Sequence, residues 1–166
     1  DKRLAYESSI RVPMIISYPK LISKNTVIHE QCLNIDLAPT ILELAGINKP
    51  KYMQGESMVK LMSGKKDKSW RKSIFFEYYV DDAWPYAGPD QVAVRTNEYK
   101  LVDNFLKDDI DELYDLINDP GEMKNLINNA KYDDIENDLR KESERLQKKY
   151  KYNPDRDWWL RKQIRK

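Results

Sequence analysis

The sequence predicts an α/β region followed by a small four-stranded antiparallel sheet packed with a C-terminal helix, on three observations. The apolar, β-branched run Val12 to Ser17 reads as a strand buried on both faces; Asn34 to Gly46 carries helix start and stop signals; and from Ile74 the apolar period shortens from helical to extended. The boundary falls after the lysine-rich connector Lys65 to Lys72, so residues 1–72 end an α/β domain and residues 73–166 form an antiparallel subdomain with a helix and a basic tail. At 166 residues the chain is long enough for a real core.

Each element follows from local chemistry. Beside Val12 to Ser17, the segment Val27 to Leu33 is the other strand candidate of this kind, which makes the parallel sheet look incomplete. In the helix ending at Ala45, Asp36 can cap, Pro39 suits the first turn, and Gly46 supplies a left-handed stop. A shorter helix fits Ser57 to Met62, ended by Gly64. Extended segments follow at Ile74 to Tyr79, Gln91 to Thr96, Tyr99 to Asp103 and Glu112 to Leu116, with Asn97-Glu98 and Lys107 to Asp111 as hairpin connections. Asn118 to Gly121 forms a turn, and helices are expected at Glu122 to Ile127 and Tyr132 to Tyr150. In the longer one Tyr132, Ile135, Leu139, Leu146 and Tyr150 make an apolar stripe that suits packing across the small sheet.

Composition narrows the function classes. With 29 Lys+Arg against 28 Asp+Glu the net charge is +1, which excludes a polyanion-coating protein. No apolar run approaches the ~20 residues a membrane span requires, and Asp1-Lys2-Arg3 starts neither like an export signal nor like a complete gene. The single Cys32 excludes an internal disulfide and a cysteine-rich zinc site, and the one His29 cannot build a histidine cluster. Cys32 reads as a small buried hydrophobe rather than a nucleophile. Glu7 and Arg11 stand four apart and are either an ion pair or two surface charges. The tail from Lys148 carries Trp158 and Trp159 among basic residues; docked tryptophans with solvated charges are favoured over a nucleic-acid surface. Read alone, the residues identify no catalytic set.

The segment Lys2-Arg3-Leu4-Ala5-Tyr6-Glu7-Ser8-Ser9-Ile10-Arg11-Val12-Pro13 closely resembles the stretch of type I sulfatases that follows their second metal-binding motif. Further matches come in the family's order: Asn34 to Thr40, Met53-Gln54-Gly55-Glu56-Ser57, Phe76-Glu77-Tyr78, Val94-Arg95-Thr96 with Tyr99-Lys100-Leu101, and Glu112-Leu113-Tyr114-Asp115-Leu116 with Asp119-Pro120, Glu122 and Asn125. Any one of these is weak; their order from residue 1 to about 127 is specific.

The resemblance implies the C-terminal portion of a formylglycine-dependent arylsulfatase of the alkaline phosphatase superfamily. Residues 1–72 then end its catalytic α/β domain, and residues 73–166 form its C-terminal subdomain. The nucleophile, a formylglycine made from Cys or Ser, and a divalent cation, calcium in most of the family, are implied for the missing N-terminal part; the fragment is expected to bind no cation and to be inactive. Cys32, followed by Leu33-Asn34-Ile35, lacks the formylglycine context. Lys2 matches the lysine that contacts the sulfate, and a compact ammonium suits the charge developing on the transferring group. Glu7 and Arg11 are expected to support the site from behind, and Asp36 to act as a helix cap. Within Asp81 to Pro89, Trp84 and Tyr86 either contact the sugar or aryl part of the substrate or form a surface loop with a buried Trp.

A sulfated small molecule or glycan is the implied partner of the full-length enzyme, with no nucleic acid and no membrane. The isolated chain, with an unpaired strand edge, is expected to self-associate. The rival readings are a phosphate or phosphonate ester hydrolase of the same superfamily and a non-catalytic module binding an anionic glycan or nucleic acid.

Overall fold

The computed structural model of the chain describes residues 4–79, 90–104 and 110–152. The chain divides into two compact units, Asp1–Val12 with Ser73–Lys166, and Pro13–Lys72. Where the sequence reading joined residues 1–12 to the α/β part, packing groups the described residues of that stretch with the antiparallel sheet.

In the first unit a short helix α1 (Glu7–Ile10) precedes a meander of four antiparallel strands, β1 (Ile74–Tyr78), β2 (Gln91–Arg95), β3 (Tyr99–Asn104) and β4 (Glu112–Asp115), in that spatial order. The expected strands and the Asn97-Glu98 hairpin are observed. Thr96 N–H donates to Tyr99 O at 2.9 Å, and Arg95 stands opposite Lys100. Because strand side chains alternate, Val94, Leu101 and Leu113 fall on one face of the sheet, and Ala93, Arg95, Lys100, Val102 and Tyr114 on the other.

The long helix α4, numbered after the two helices of the second unit, runs from Asp133 to Tyr150 and begins after a 3₁₀ turn at Ala130–Tyr132. Its stripe of Leu139 and Leu146 closes a core with Val94, Leu101, Leu113 and Leu126, flanked by Tyr132, Ile135 and Tyr150. Glu142, which interrupts the stripe, accepts from the Ser73 hydroxyl and pairs with Arg145 at 2.6 Å. Three acidic residues in the first turn and two lysines in the last suit the helix dipole.

Residues 122–127 are not the expected helix. Asn125 Oδ1 accepts from Leu113 N–H at 3.0 Å, and Leu126 N–H donates to Leu113 O at 2.8 Å, so this segment covers the open edge of β4. Glu122 takes a left-handed φ of 55° and is buried. The pull of an unpaired strand edge outweighs a weak helical pattern.

In the second unit, α2 (Leu37–Leu44) follows a 3₁₀ turn at Asn34–Asp36, Gly46 ends it at φ 74°, and α3 (Val59–Met62) ends at Gly64, φ 76°, as expected. Asp36 stands at the N-cap of α2, but its carboxylate is turned away from the helix. It is fully buried and accepts from Leu33 N–H at 2.7 Å, Glu56 N–H at 2.8 Å and both Arg71 terminal nitrogens at 2.5 and 2.6 Å. Arg71 and the buried Trp70 also donate to Gln31 O, so the end of the expected solvated connector is instead part of this unit's structure. Gly55 passes so close to the Ile35 carbonyl that a Cβ would lie 2.0 Å from its oxygen, which requires glycine there. Neither Val12 to Ser17 nor Val27 to Leu33 forms a strand; both lie outside any ladder, with Ile15 95% and Val27 70% exposed. A strand buried on both faces needs neighbours, and none of the described strands pairs with either segment.

Candidate functional site

Residues 4–7 lie on the sheet face opposite α4. Arg95 and Lys100 stand directly across from one another on that face, with Tyr114 next in the row. Two cations opposed on a covered sheet face repel, so the arrangement demands anions. Glu7 and Glu122 supply them. Arg95 grips Glu7 with two hydrogen bonds, Nε to Oε1 at 2.9 Å and Nη2 to Oε2 at 3.0 Å. Lys100, 0% exposed, pairs with Glu122 and reaches Glu7 Oε1 at 3.4 Å. Two positive and two negative groups thus close a neutral buried cluster.

The cluster also holds backbone. Lys100 Nζ donates to Ala5 O at 2.5 Å, Ala5 N–H donates to Gln91 Oε1 at 3.0 Å, and Glu7 N–H donates to Glu122 Oε2 at 2.6 Å. Side chains of β2, β3 and the segment after β4 therefore satisfy both backbone groups of Ala5 and the N–H of Glu7. Burial pushes the Glu7 carboxyl up, but the hydrogen bonds and charges of Arg95 and Lys100 outweigh it, and the net result is a carboxyl below its ordinary 4.5. It stays ionised among its partners.

Beside the cluster lies an open groove of about 470 Å³ whose lining includes Leu4, Tyr6, Glu112 and Tyr114. The Tyr6 and Tyr114 rings meet at 6.2 Å, and Tyr114 donates to Glu112 Oε2 at 2.7 Å. Burial, then the Glu112 carboxylate, hold both phenols above their ordinary value of 10.0, so they remain protonated donors. Their hydroxyls and the carboxylate are bonded within this seam.

Of the residues singled out in the sequence, the structure places Glu7 at the centre of the cluster and leaves Arg11 exposed at the end of α1, with Glu7 turned to Arg95 and Lys100 instead. Lys2, Trp84, Tyr86, Trp158 and Trp159 lie outside the described residues. Cys32 is half-buried against the apolar cluster of Met58, Met62 and Trp70, and burial followed by the Asp36 charge pushes its thiol up, away from a thiolate. His29 is exposed. The partners Arg95, Lys100 and Glu122 sat within motifs already quoted, yet were given no role. The signal was available, because a two-residue hairpin at Asn97-Glu98 sets Arg95 opposite Lys100 and leaves two cations in search of carboxylates.

Residues 1–149 match the family described as N-sulphoglucosamine sulphohydrolase, C-terminal. The chain belongs to this family of sulfatase C-terminal domains. An N-acetylglucosamine-6-O-sulfatase of Bacteroides thetaiotaomicron is 36% identical over 158 residues, which are 93% of this chain and 28% of that protein. A solved enzyme in complex with its substrate D-glucosamine-2-N,6-O-disulfate superposes with a TM-score of 0.87 at 34% identity, over 93% of this chain and 31% of that one. The phosphonate monoester hydrolase of Agrobacterium radiobacter shares the fold, with a TM-score of 0.59 at 22% identity over 69% of this chain and 24% of that one. This sulfatase domain therefore spans less than a third of the length of the relatives just described. The four-stranded antiparallel sheet with its C-terminal helix is the arrangement the sequence led us to expect for such a domain.

Proposed function

We propose that the full-length protein is a sulfatase that hydrolyses a sulfate ester of an amino sugar, with 6-O-sulfated N-acetylglucosamine as the leading substrate class. The likeness to an N-acetylglucosamine-6-O-sulfatase along 93% of the chain carries this reading. Within it, Lys2 contacts the sulfate: its ammonium stabilises negative charge on the transferring group and on the leaving oxygen as the ester bond breaks. Trp84 and Tyr86 are assigned to the sugar, whose C–H faces suit aromatic rings. Glu7 supports the lysine segment from behind.

The described residues contain no grouping of three or more His, Cys, Asp or Glu side chains fit to ligate a cation. The divalent cation, assigned as calcium, and the formylglycine nucleophile belong in this reading to parts of the protein beyond this sequence. In this reading the chain alone is inactive, and the apolar residues exposed on the second unit, Ile15, Val27, Ile41 and Tyr52 among them, favour its self-association.

The test is sulfate release by the full-length protein from 6-O-sulfated N-acetylglucosamine, an aryl sulfate and an aryl phosphonate. Preferential release from the sulfated sugar, reduced on the order of 10²-fold in Lys2→Ala, supports the reading. Turnover of the phosphonate alone sinks it in favour of the phosphonate hydrolase alternative. Salt-sensitive glycan binding without turnover sinks it in favour of a binding module.

A further inference from the structure

We propose that Arg95, Lys100 and Glu122 act with Glu7 as positioning residues for Lys2, fixing residues 5–7 on the sheet as the anchor of the lysine's tether. The proposal rests on the reading of Lys2 as the group at the sulfate. Both the N–H and the carbonyl of Ala5 are held by buried side chains, from Gln91 and Lys100, and Glu7 is held through its N–H and both carboxylate oxygens. Fixing one short backbone segment from three separate parts of the chain exceeds what covering a sheet face requires, since apolar side chains would do that without desolvating four charges. Lys2 is three residues upstream of Ala5, so at most about 11 Å of backbone separates it from the anchor. A lysine that must follow charge on a reacting sulfate loses rate when its tether shifts, because an ångström of misplacement can cost on the order of 10²-fold.

The segment is held by charge on both sides, which allows a double-mutant cycle. In the full-length protein, kcat and KM for the sulfated substrate are measured for Lys100→Met, Lys2→Ala and the pair. The expected result is a loss of roughly ten-fold or more in kcat for Lys100→Met, little change in KM, and less than about two-fold further loss when the same change is made in Lys2→Ala. Arg95→Lys keeps the charge but gives up the two-pronged grip on Glu7; it repeats the cycle should Lys100→Met fail to fold, with the same non-additivity expected. If either change costs the same factor with and without Lys2, the cluster is structural only: this inference falls while the role of Lys2 stands. If Lys2→Ala leaves kcat/KM intact, the role of Lys2 falls, and positioning falls with it.

Discussion

The two faces of the four-stranded sheet are covered by different physics. Against one lies α4, sealing Val94, Leu101 and Leu113 beneath Leu139 and Leu146. Against the other lie residues 4–7, an irregular stretch running into the first residue of α1, held by a neutral cluster of four charges and by polar side chains on its backbone. Apolar burial is non-directional: many packings of similar volume would satisfy the α4 face. The charged face tolerates few, because each donor and acceptor has a stated partner and an unpaired buried charge is costly. The helix face secures the fold, and the charged face selects one placement of residues 5–7.

That contrast can be broken first where a charge is orphaned. Lys100→Met leaves Glu122 buried without its cation and is expected to cost about 3–5 kcal/mol, read as a lower midpoint in urea. Changing Glu7, Arg95 and Glu122 together with Lys100 to apolar residues of similar size is expected to regain most of that stability without regaining activity. Recovery of activity as well would refute a directional role for the face. Next comes Leu146→Ala on the helix face, 1% exposed in the wild type, expected to cost about 2–5 kcal/mol while kcat of the folded fraction stays as it was.

Acid gives a smaller effect of opposite sign on the two faces. The Glu7 carboxyl is held below 4.5, so its contribution to stability is present above that value and disappears as pH falls through the folded value. Asp103, paired with Arg140 of α4 at 2.9 Å, is pushed above 3.8 by burial and then by Asp111, so its contribution is full below that value and declines as pH rises through the folded one. Glu7→Gln should flatten the loss of Tm on acidification below about pH 4.5, and Asp103→Asn should steepen it. Equal slopes in both variants would show that the shifts lie elsewhere. The smallest change is expected on the outer surface of α4: the Lys141–Asp138 pair is about three-quarters exposed, and Lys141→Ala should alter stability by under about 0.5 kcal/mol in the same urea titration.

The antiparallel sheet was legible because its signals are local. Alternation from Ile74 onward, a two-residue hairpin at Asn97-Glu98 and the stripe from Tyr132 to Tyr150 each lie within a few turns or strand lengths of chain. Gly46 and Gly64 likewise end their helices at positive φ for a reason contained in the residue itself. Errors arose where distant partners decide. Val12 to Ser17 has the composition of a buried strand, yet composition supplies no neighbour to pair with it. Glu122 to Ile127 has helical spacing, yet the free edge of β4 claims the backbone of Leu126 and the side chain of Asn125.

The sequence by itself determined the four strands and the long helix of the second half, the sulfatase resemblance and the candidate Lys2, since these rest on residue type, period and order along the chain. Only the tertiary structure decided that Glu7, Arg95, Lys100 and Glu122, spread over 116 positions counted inclusively from 7 to 122, share one buried site. Charge pairing acts through space at a few ångströms, and no pattern along the chain records which carboxylate a folded sheet will bring to which cation.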